Sequence, residues 1–197
     1  TEIARRVREA HVHADFIEVE KGMSRINAKI KSNEETELNG QGPLITEENI
    51  EQLYVKLDVL GQGDTLVISG SVPNTLPGDM YERIMARLDG RGVRIVVDAE
   101  RDLLTRVLPY HPFLVKPNNI ELGDIYGAQL KTRADVVPYA QRMQREGARN
   151  VLVSMAGEGG VLVAETGEVF ESPAAKGTVV NSVGAVDSAV AGFLAGL

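Results

Sequence analysis

The sequence predicts an α/β fold: a doubly wound, mainly parallel sheet with helices on both faces, plus a small antiparallel β flap that serves as a lid. Three observations predict it. From Thr46 onward, short apolar runs alternate with longer amphipathic segments, the pattern of a parallel sheet wound with helices. Some of those runs, such as Thr65-Leu66-Val67-Ile68-Ser69, are continuously apolar, as strands buried on both faces are. Before Thr46, three short alternating segments follow one another with no helix between them, which suits an antiparallel flap.

In chain order, residues 1–14 read as the end of a helix of the α/β domain, with Ile3 and Val7 four apart and Arg5, Arg6 and Arg8 around them. His11 and His13 follow in a loop, and no acidic pattern at ligand spacing surrounds them, so no metal site is expected there. Residues 15–43 form the expected lid, with strands at Phe16–Glu20, Arg25–Lys31 and Glu35–Asn39. One face of the middle strand carries Ile26, Ala28 and Ile30, and the other carries Arg25, Asn27, Lys29 and Lys31. Alternating charge is usually a solvated face. Three cations and an amide also suit the grip of an anionic substrate, arginine above all.

Residues 44–197 form the expected α/β domain. Thr46-Glu47-Glu48-Asn49 starts a helix that runs to about Leu60, with Ile50, Leu53, Leu57 and Leu60 as its stripe. A buried strand at Thr65–Ser69 ends in Ser69-Gly70-Ser71-Val72-Pro73. Further strands are expected at Val93–Asp98, Phe113–Val115 and Asn150–Ser154, and a hairpin turns at Thr166-Gly167. Helices fall between them at 79–88, 101–108, 120–126 and 132–146. The polar and glycine-rich residues all follow strand ends: Ser69 to Ser71, Asp98, Lys116 to Glu121, and Ser154 to Gly160. Open α/β sheets bind ligands at that edge. Near the C-terminus, Asn181-Ser182-Val183-Gly184-Ala185-Val186-Asp187-Ser188 reads as an extended segment, a turn and a helix start. A helix start can seat an anion, and Asp187 is placed to take a proton from a nucleophile beside it. Alone, Asp187 or Ser182 would as readily be a helix cap.

Composition narrows the partners. A net charge of −7 argues against generic nucleic-acid or anionic-membrane binding. The absence of cysteine excludes disulfides and thiolate metal sites and fits a reducing, cytoplasmic location. No apolar run is long enough to span a membrane.

Taken together, these stretches resemble the ribokinase-like carbohydrate kinases of the phosphofructokinase B branch. Gly184-Ala185-Val186-Asp187-Ser188 with Ala191-Gly192-Phe193 is similar to that family's G-A-G-D-S…A-G-F signature. Lys116-Pro117-Asn118-Asn119-Ile120-Glu121 resembles its K-P-N-x-x-E element, and Ser69 to Pro73 its S-G-S-x-P loop. Arg25 to Lys31 with Glu35 to Pro43 resembles the sugar-1-phosphate kinases of the branch, with tagatose-6-phosphate kinases nearby.

The resemblance implies an ATP-dependent kinase that phosphorylates the 6-hydroxyl of fructose 1-phosphate, with tagatose 6-phosphate as the alternative substrate. It implies Asp187 as base, and the amides of Gly184, Ala185, Val186 and Asp187 as an anion hole. It places Lys116, Asn118, Ser154, Gly157, Gly159, Asn181, Val183 and Gly184 along the nucleotide, with Asn181 and Val183 around a possible monovalent cation (K⁺) or beside the base. Asn118 and Glu121 would hold Mg²⁺ through water. Arg25 and Ser71 would hold the sugar's phosphate, with Asn27 and Lys29 beside them. Asn118 and Glu121 would also serve as an ordinary helix start, and Asp98, without an assigned role, as a cap. A homodimer closing lid on lid is expected.

Two positions depart from the family pattern. Val186 replaces a glycine; if that position needs positive φ or close backbone approach to phosphate, the anion hole is distorted and a non-catalytic binding relative becomes the alternative. Ala156 stands where many members have glycine, a milder change. The chain opens and closes inside helical patterns, so a piece of something longer is expected. The family's N-terminal half-site has no counterpart here, so these residues alone are expected to be nearly inactive.

Overall fold

The computed structural model describes residues 2–31, 35–40, 42–73, 75–99, 101–178 and 184–197; for 27–31, 35–39 and 101 it describes the backbone alone. The chain divides into two compact units, residues 1–59 with 73–77, and residues 60–72 with 78–197.

In the first unit, α1 (Glu2–Glu9) is laced by Arg5, which pairs with Glu2 one turn before it and Glu9 one turn after. The lid is a two-stranded antiparallel hairpin of β1 (Asn27–Lys31) and β2 (Glu35–Asn39). Its register opposes Lys29 to Glu37 and Lys31 to Glu35. Beyond the last pair, the Gly40 amide donates to the Ile26 carbonyl at 3.0 Å and closes the open end. The strand expected at Phe16–Glu20 is not one. Alternation marks a segment able to be a strand, but a strand needs an edge to pair with. Here β1 and β2 pair with each other, and no described strand pairs with 16–20. α2 (Glu47–Leu57) starts at the capping box that the sequence suggested: Thr46 Oγ1 accepts from the Asn49 amide, and Asn49 Oδ1 accepts from the Thr46 amide.

The second unit is a six-stranded sheet in the order β3 (Thr65–Ser69), β4 (Arg94–Asp98), β5 (Leu114–Val115), β6 (Asn150–Ser154), β7 (Gly160–Val163), β8 (Val169–Ser172). The first four run parallel, and β6, β7 and β8 form an antiparallel meander. β3 differs from expectation. Among the described residues it lies at the sheet edge, pairs with β4, and leaves Val67 43% exposed.

α3 (Met80–Leu88), α4 (Arg101–Val107), α5 (Asn119–Tyr126) and α6 (Arg133–Arg145) fill the crossovers. Parallel neighbours taken in sequence order with right-handed crossovers put these helices on one face. α7 (Ala185–Ala195) covers the opposite face. Its Val190, Phe193 and Leu194 pack on Val96, Phe113, Leu114 and Leu152. Side chains alternate along a strand, and the register pairs Val96 with Leu114 and Leu114 with Asn150. Val96, Leu114, Asn150 and Leu152 therefore share the α7 face, while Val97, Val115, Val151 and Val153, all fully buried, face the other helices.

The backbone overturns one expectation about the glycine replacements. Val186 lies inside α7 with no positive φ, so its β-branch carries no left-handed strain. Gly184, just before the helix, takes the left-handed turn at φ 79°. The strained replacement is Ala156, at φ 46° in the turn after β6. A left-handed alanine costs about 1–2 kcal/mol, against about 0.5–1 kcal/mol of extra chain entropy for glycine. Ala156→Gly should therefore raise the unfolding free energy by about 0.5–1 kcal/mol in chemical denaturation; a loss of stability would contradict the strain.

Candidate active site

The site is assembled at the C-terminal edge of the parallel strands. Val97 pairs with Val115, so the next residues, Asp98 and Lys116, come side by side. Both continue the parity of Val96 and Leu114 and point to the α7 face. Lys116 Nζ meets Asp98 Oδ1 at 3.1 Å, with the lysine side chain 3% exposed and the aspartate 17%. The lysine amide also donates to the Val97 carbonyl at 3.1 Å, which extends the ladder past β5.

α7 brings the carboxylate expected as base to the same place. Asp187, Val190 and Leu194 fall at spacings of three and four, on one helix stripe. The stripe that docks Val190 and Leu194 on the sheet thus aims Asp187 along the sheet face toward its C-terminal edge. Burial holds the Asp98 carboxyl above its usual range. The Lys116 ammonium draws it back down, and the charge of Asp187 pushes it up again. Asp98, Lys116 and Asp187 are thus within electrostatic reach of one another. The first helical bond of α7 runs from the Ser188 amide to the Gly184 carbonyl at 2.9 Å. The amides of Ala185, Val186 and Asp187 precede it and have no acceptor within the helix.

Asn118 and Glu121 form a full capping box at the start of α5. Asn118 Oδ1 accepts from the Ile120 and Glu121 amides, and Glu121 Oε2 accepts from the Asn118 amide at 2.8 Å. The helix-start role is therefore real. It engages one oxygen of Glu121 and leaves Oε1 outside that box. Among the described residues no group of three or more acidic or histidine side chains could hold a metal. One carboxylate and one amide at a strand end suit a water-rich Mg²⁺ attached mainly to a ligand's phosphates. Asn118 and Ser154 form a parallel β-bridge, and the Ser154 amide donates to the Pro117 carbonyl at 3.2 Å. The loop after β5 and the loop after β6 are thereby joined. Gly159 has φ 90° and sits where a Cβ would run into the Ser172 carbonyl, so only glycine fits this turn. Gly157 lies exposed in the same turn.

Ser71 follows β3, beside Gly70, whose amide donates to the Asp98 carbonyl at 3.1 Å. Arg25, exposed just before β1, belongs to the first unit. Asn27 and Lys29 lie in β1, where the backbone alone is described. Asn181 and Val183 lie outside the described residues.

Two residues with no assigned role in the sequence emerge here. Asp98 is the counter-charge of Lys116, and two adjacent strands ending in opposite charges would have signalled it. Tyr81 reaches the Ser69-Gly70-Ser71 loop from α3, and nothing in its local sequence signals that contact.

Comparison with known proteins decides the family. The family model for pfkB family carbohydrate kinases matches residues 1–197. The chain belongs to that family. A 1-phosphofructokinase from Bacillus subtilis (strain 168) is 42% identical over 97% of this chain and 62% of its own length. A D-tagatose-1-phosphate kinase from Bacillus licheniformis is 34% identical over 91% of this chain and 59% of its own length. Among solved structures, Escherichia coli phosphofructokinase-2 in complex with substrates and products superposes with a TM-score of 0.86 at 25% identity, over 98% of this chain and 64% of that one. The same protein solved with potassium gives 0.84 at 25%, over 96% and 62%. The chain thus spans about three-fifths of the length of these relatives. The ribokinase-like α/β fold read from the sequence is the fold observed.

The buried pair gives a direct test. Asp98→Asn should cost about 3 kcal/mol of stability in denaturant titration, because the Lys116 ammonium stays buried without its counter-charge. Adding Lys116→Met should recover most of that loss. Additive losses in the double variant would mean that the two side chains are not coupled.

Proposed function

We propose that this chain carries the catalytic edge of an ATP-dependent kinase that moves the γ-phosphoryl group of ATP to the 6-hydroxyl of fructose 1-phosphate. The products are fructose 1,6-bisphosphate and ADP. The observation that carries this reading is the Lys116–Asp98 ion pair at the C-terminal sheet edge, with Asp187, in the first turn of α7, close enough for its charge to act on Asp98.

The division of labour follows from the chemistry. Phosphoryl transfer needs positioning and charge stabilisation more than covalent help. The amides of Ala185, Val186 and Asp187, behind the left-handed Gly184, present the positive end of α7 to the transferring group. Asp187 accepts the proton of the attacking hydroxyl. Lys116 steadies the nucleotide's phosphates, held in place by Asp98 until they arrive. Ser154, Gly157 and Gly159 run along the nucleotide, where small residues let the backbone approach. Asn118 and Glu121 hold Mg²⁺ through water, and that ion neutralises charge on the phosphate oxygens. Asn181 and Val183 are assigned to the nucleotide side, beside K⁺. Arg25 and Ser71 take the phosphate already on the sugar, with Asn27 and Lys29 beside them.

The alternative, a non-catalytic binding relative, rests on Val186 and on the parts of the family pattern that these residues lack; the helical backbone of Val186 removes left-handed strain from that argument. Both sugar-phosphate relatives named above act, by name, on 1-phosphates. Tagatose 1-phosphate therefore replaces tagatose 6-phosphate as the second sugar to compare. The protein is proposed to act in the cytoplasm, without nucleic-acid or membrane partners. No helix among the described residues is long and apolar enough to cross a membrane.

With the whole protein, including any residues beyond Thr1 and Leu197, ADP release from ATP, Mg²⁺ and fructose 1-phosphate should fall about 10²–10⁴-fold in Asp187→Ala. Turnover unchanged by that substitution would overturn the role of Asp187.

The lid is proposed to pair with the lid of a second copy, because Met23 and Ile26 beside it are 78% and 70% exposed. Light scattering should give the mass of a dimer; a monomer would contradict it.

A further inference from the structure

We propose that Tyr81 is a positioning residue for the sugar-phosphate loop, holding the Gly70–Ser71 peptide and through it Ser71. This rests on the kinase reading above. Tyr81 stands in the first turn of α3 and is 7% exposed. Its hydroxyl donates to the Gly70 carbonyl at 2.9 Å. On the other side of the same residue, the Gly70 amide donates to the Asp98 carbonyl at 3.1 Å. Both peptide groups of Gly70 are therefore held, one by α3 and the other by the end of β4.

The reason to hold them lies in the backbone. Gly70 adopts φ 101°, a region that glycine enters and leaves without penalty. A Cβ at Gly70 would meet nothing within 4 Å, so packing does not fix this turn. The tethers fix it instead. A peptide unit is planar, so the Gly70 carbonyl and the Ser71 amide turn together. Pinning the carbonyl to the phenol pins the direction in which Ser71 leaves the sheet edge. A buried tyrosine hydroxyl needs a partner, and a phenylalanine would fill the same volume without one. Burial, and then the charge of Asp98, push the phenol up to about 12, so it stays protonated and remains a donor at neutral pH. Tyr81 thus holds the loop through the Gly70 carbonyl, and it need not touch substrate.

The test is Tyr81→Phe in the whole protein, alone and combined with Ser71→Ala, with ATP and fructose 1-phosphate varied separately. Loss of one neutral hydrogen bond should raise KM for fructose 1-phosphate about fivefold or more, with KM for ATP changed less than about twofold. In the Ser71→Ala background, Tyr81→Phe should add little to the sugar KM, because the residue it positions is gone. An unchanged sugar KM with only a lower melting temperature would overturn the inference and make Tyr81 a packing residue. An equal rise in both KM values, or fully additive effects with Ser71→Ala, would also overturn it. If the unsubstituted protein turns over no ketohexose 1-phosphate, the kinase reading fails and this inference falls with it. If it does turn over and Tyr81→Phe matches it, only the inference fails.

Discussion

A buried ammonium must have a counter-charge, and the C-terminal edge of the sheet is arranged around that requirement. Lys116 is almost wholly enclosed, and Asp98 is its partner at 3.1 Å. The two meet because β4 and β5 are in parallel register at Val97 and Val115. A slip of one residue between the two strands would turn one of the charges to the opposite face of the sheet and break the pair. The pair therefore couples the strand register to the chemistry. The charge of Asp187 also acts on Asp98.

The second constraint is the angle of α7. Its docking residues Val190, Phe193 and Leu194 grip the sheet between β4 and β6, and the Phe113 and Phe193 rings stand 6.1 Å apart at the other end. The helix runs back along the strands, so the grip at one end sets where the other end points. Gly184 lets the chain turn into the helix through a left-handed residue, which leaves the first amides exposed rather than capped by a side chain. The capping box at α5 does the opposite. There Asn118 and Glu121 satisfy the first amides internally, and the Asn118 backbone bridges to Ser154. Two helix starts on one edge thus have different treatments, one closed and one open to an anion.

Much of this was legible in the sequence. Strand and helix alternation, the helix starts at Thr46 and Asn118, and the hairpin at Thr166-Gly167 all rest on local chemistry, and local chemistry is what a sequence displays. The failures came where a partner decides the outcome. Phe16–Glu20 alternates like a strand but has no described strand beside it. Thr65–Ser69 is apolar like a central strand but lies at an edge, with its side chains alternately half-buried and exposed. Asp98 and Tyr81 had no assigned role because their importance comes from contacts with residues 18 and 11 positions away, respectively. The two glycine replacements differ in backbone strain, which a motif does not display, because a residue inside a helix and one in a reversing turn look alike there. Only the backbone angle tells Val186 from Ala156.

The most direct measurement is a crystal structure of the whole protein with fructose 1-phosphate, Mg²⁺ and a non-hydrolysable ATP analogue. The account predicts the terminal phosphate at the start of α7, about 3 Å from the amides of residues 185–187. It predicts the sugar's 6-hydroxyl on the Asp187 carboxylate, with Lys116 turned to the nucleotide's phosphates. A nucleotide seated with its phosphates away from α7, or a sugar whose 6-hydroxyl is out of reach of Asp187, would contradict it.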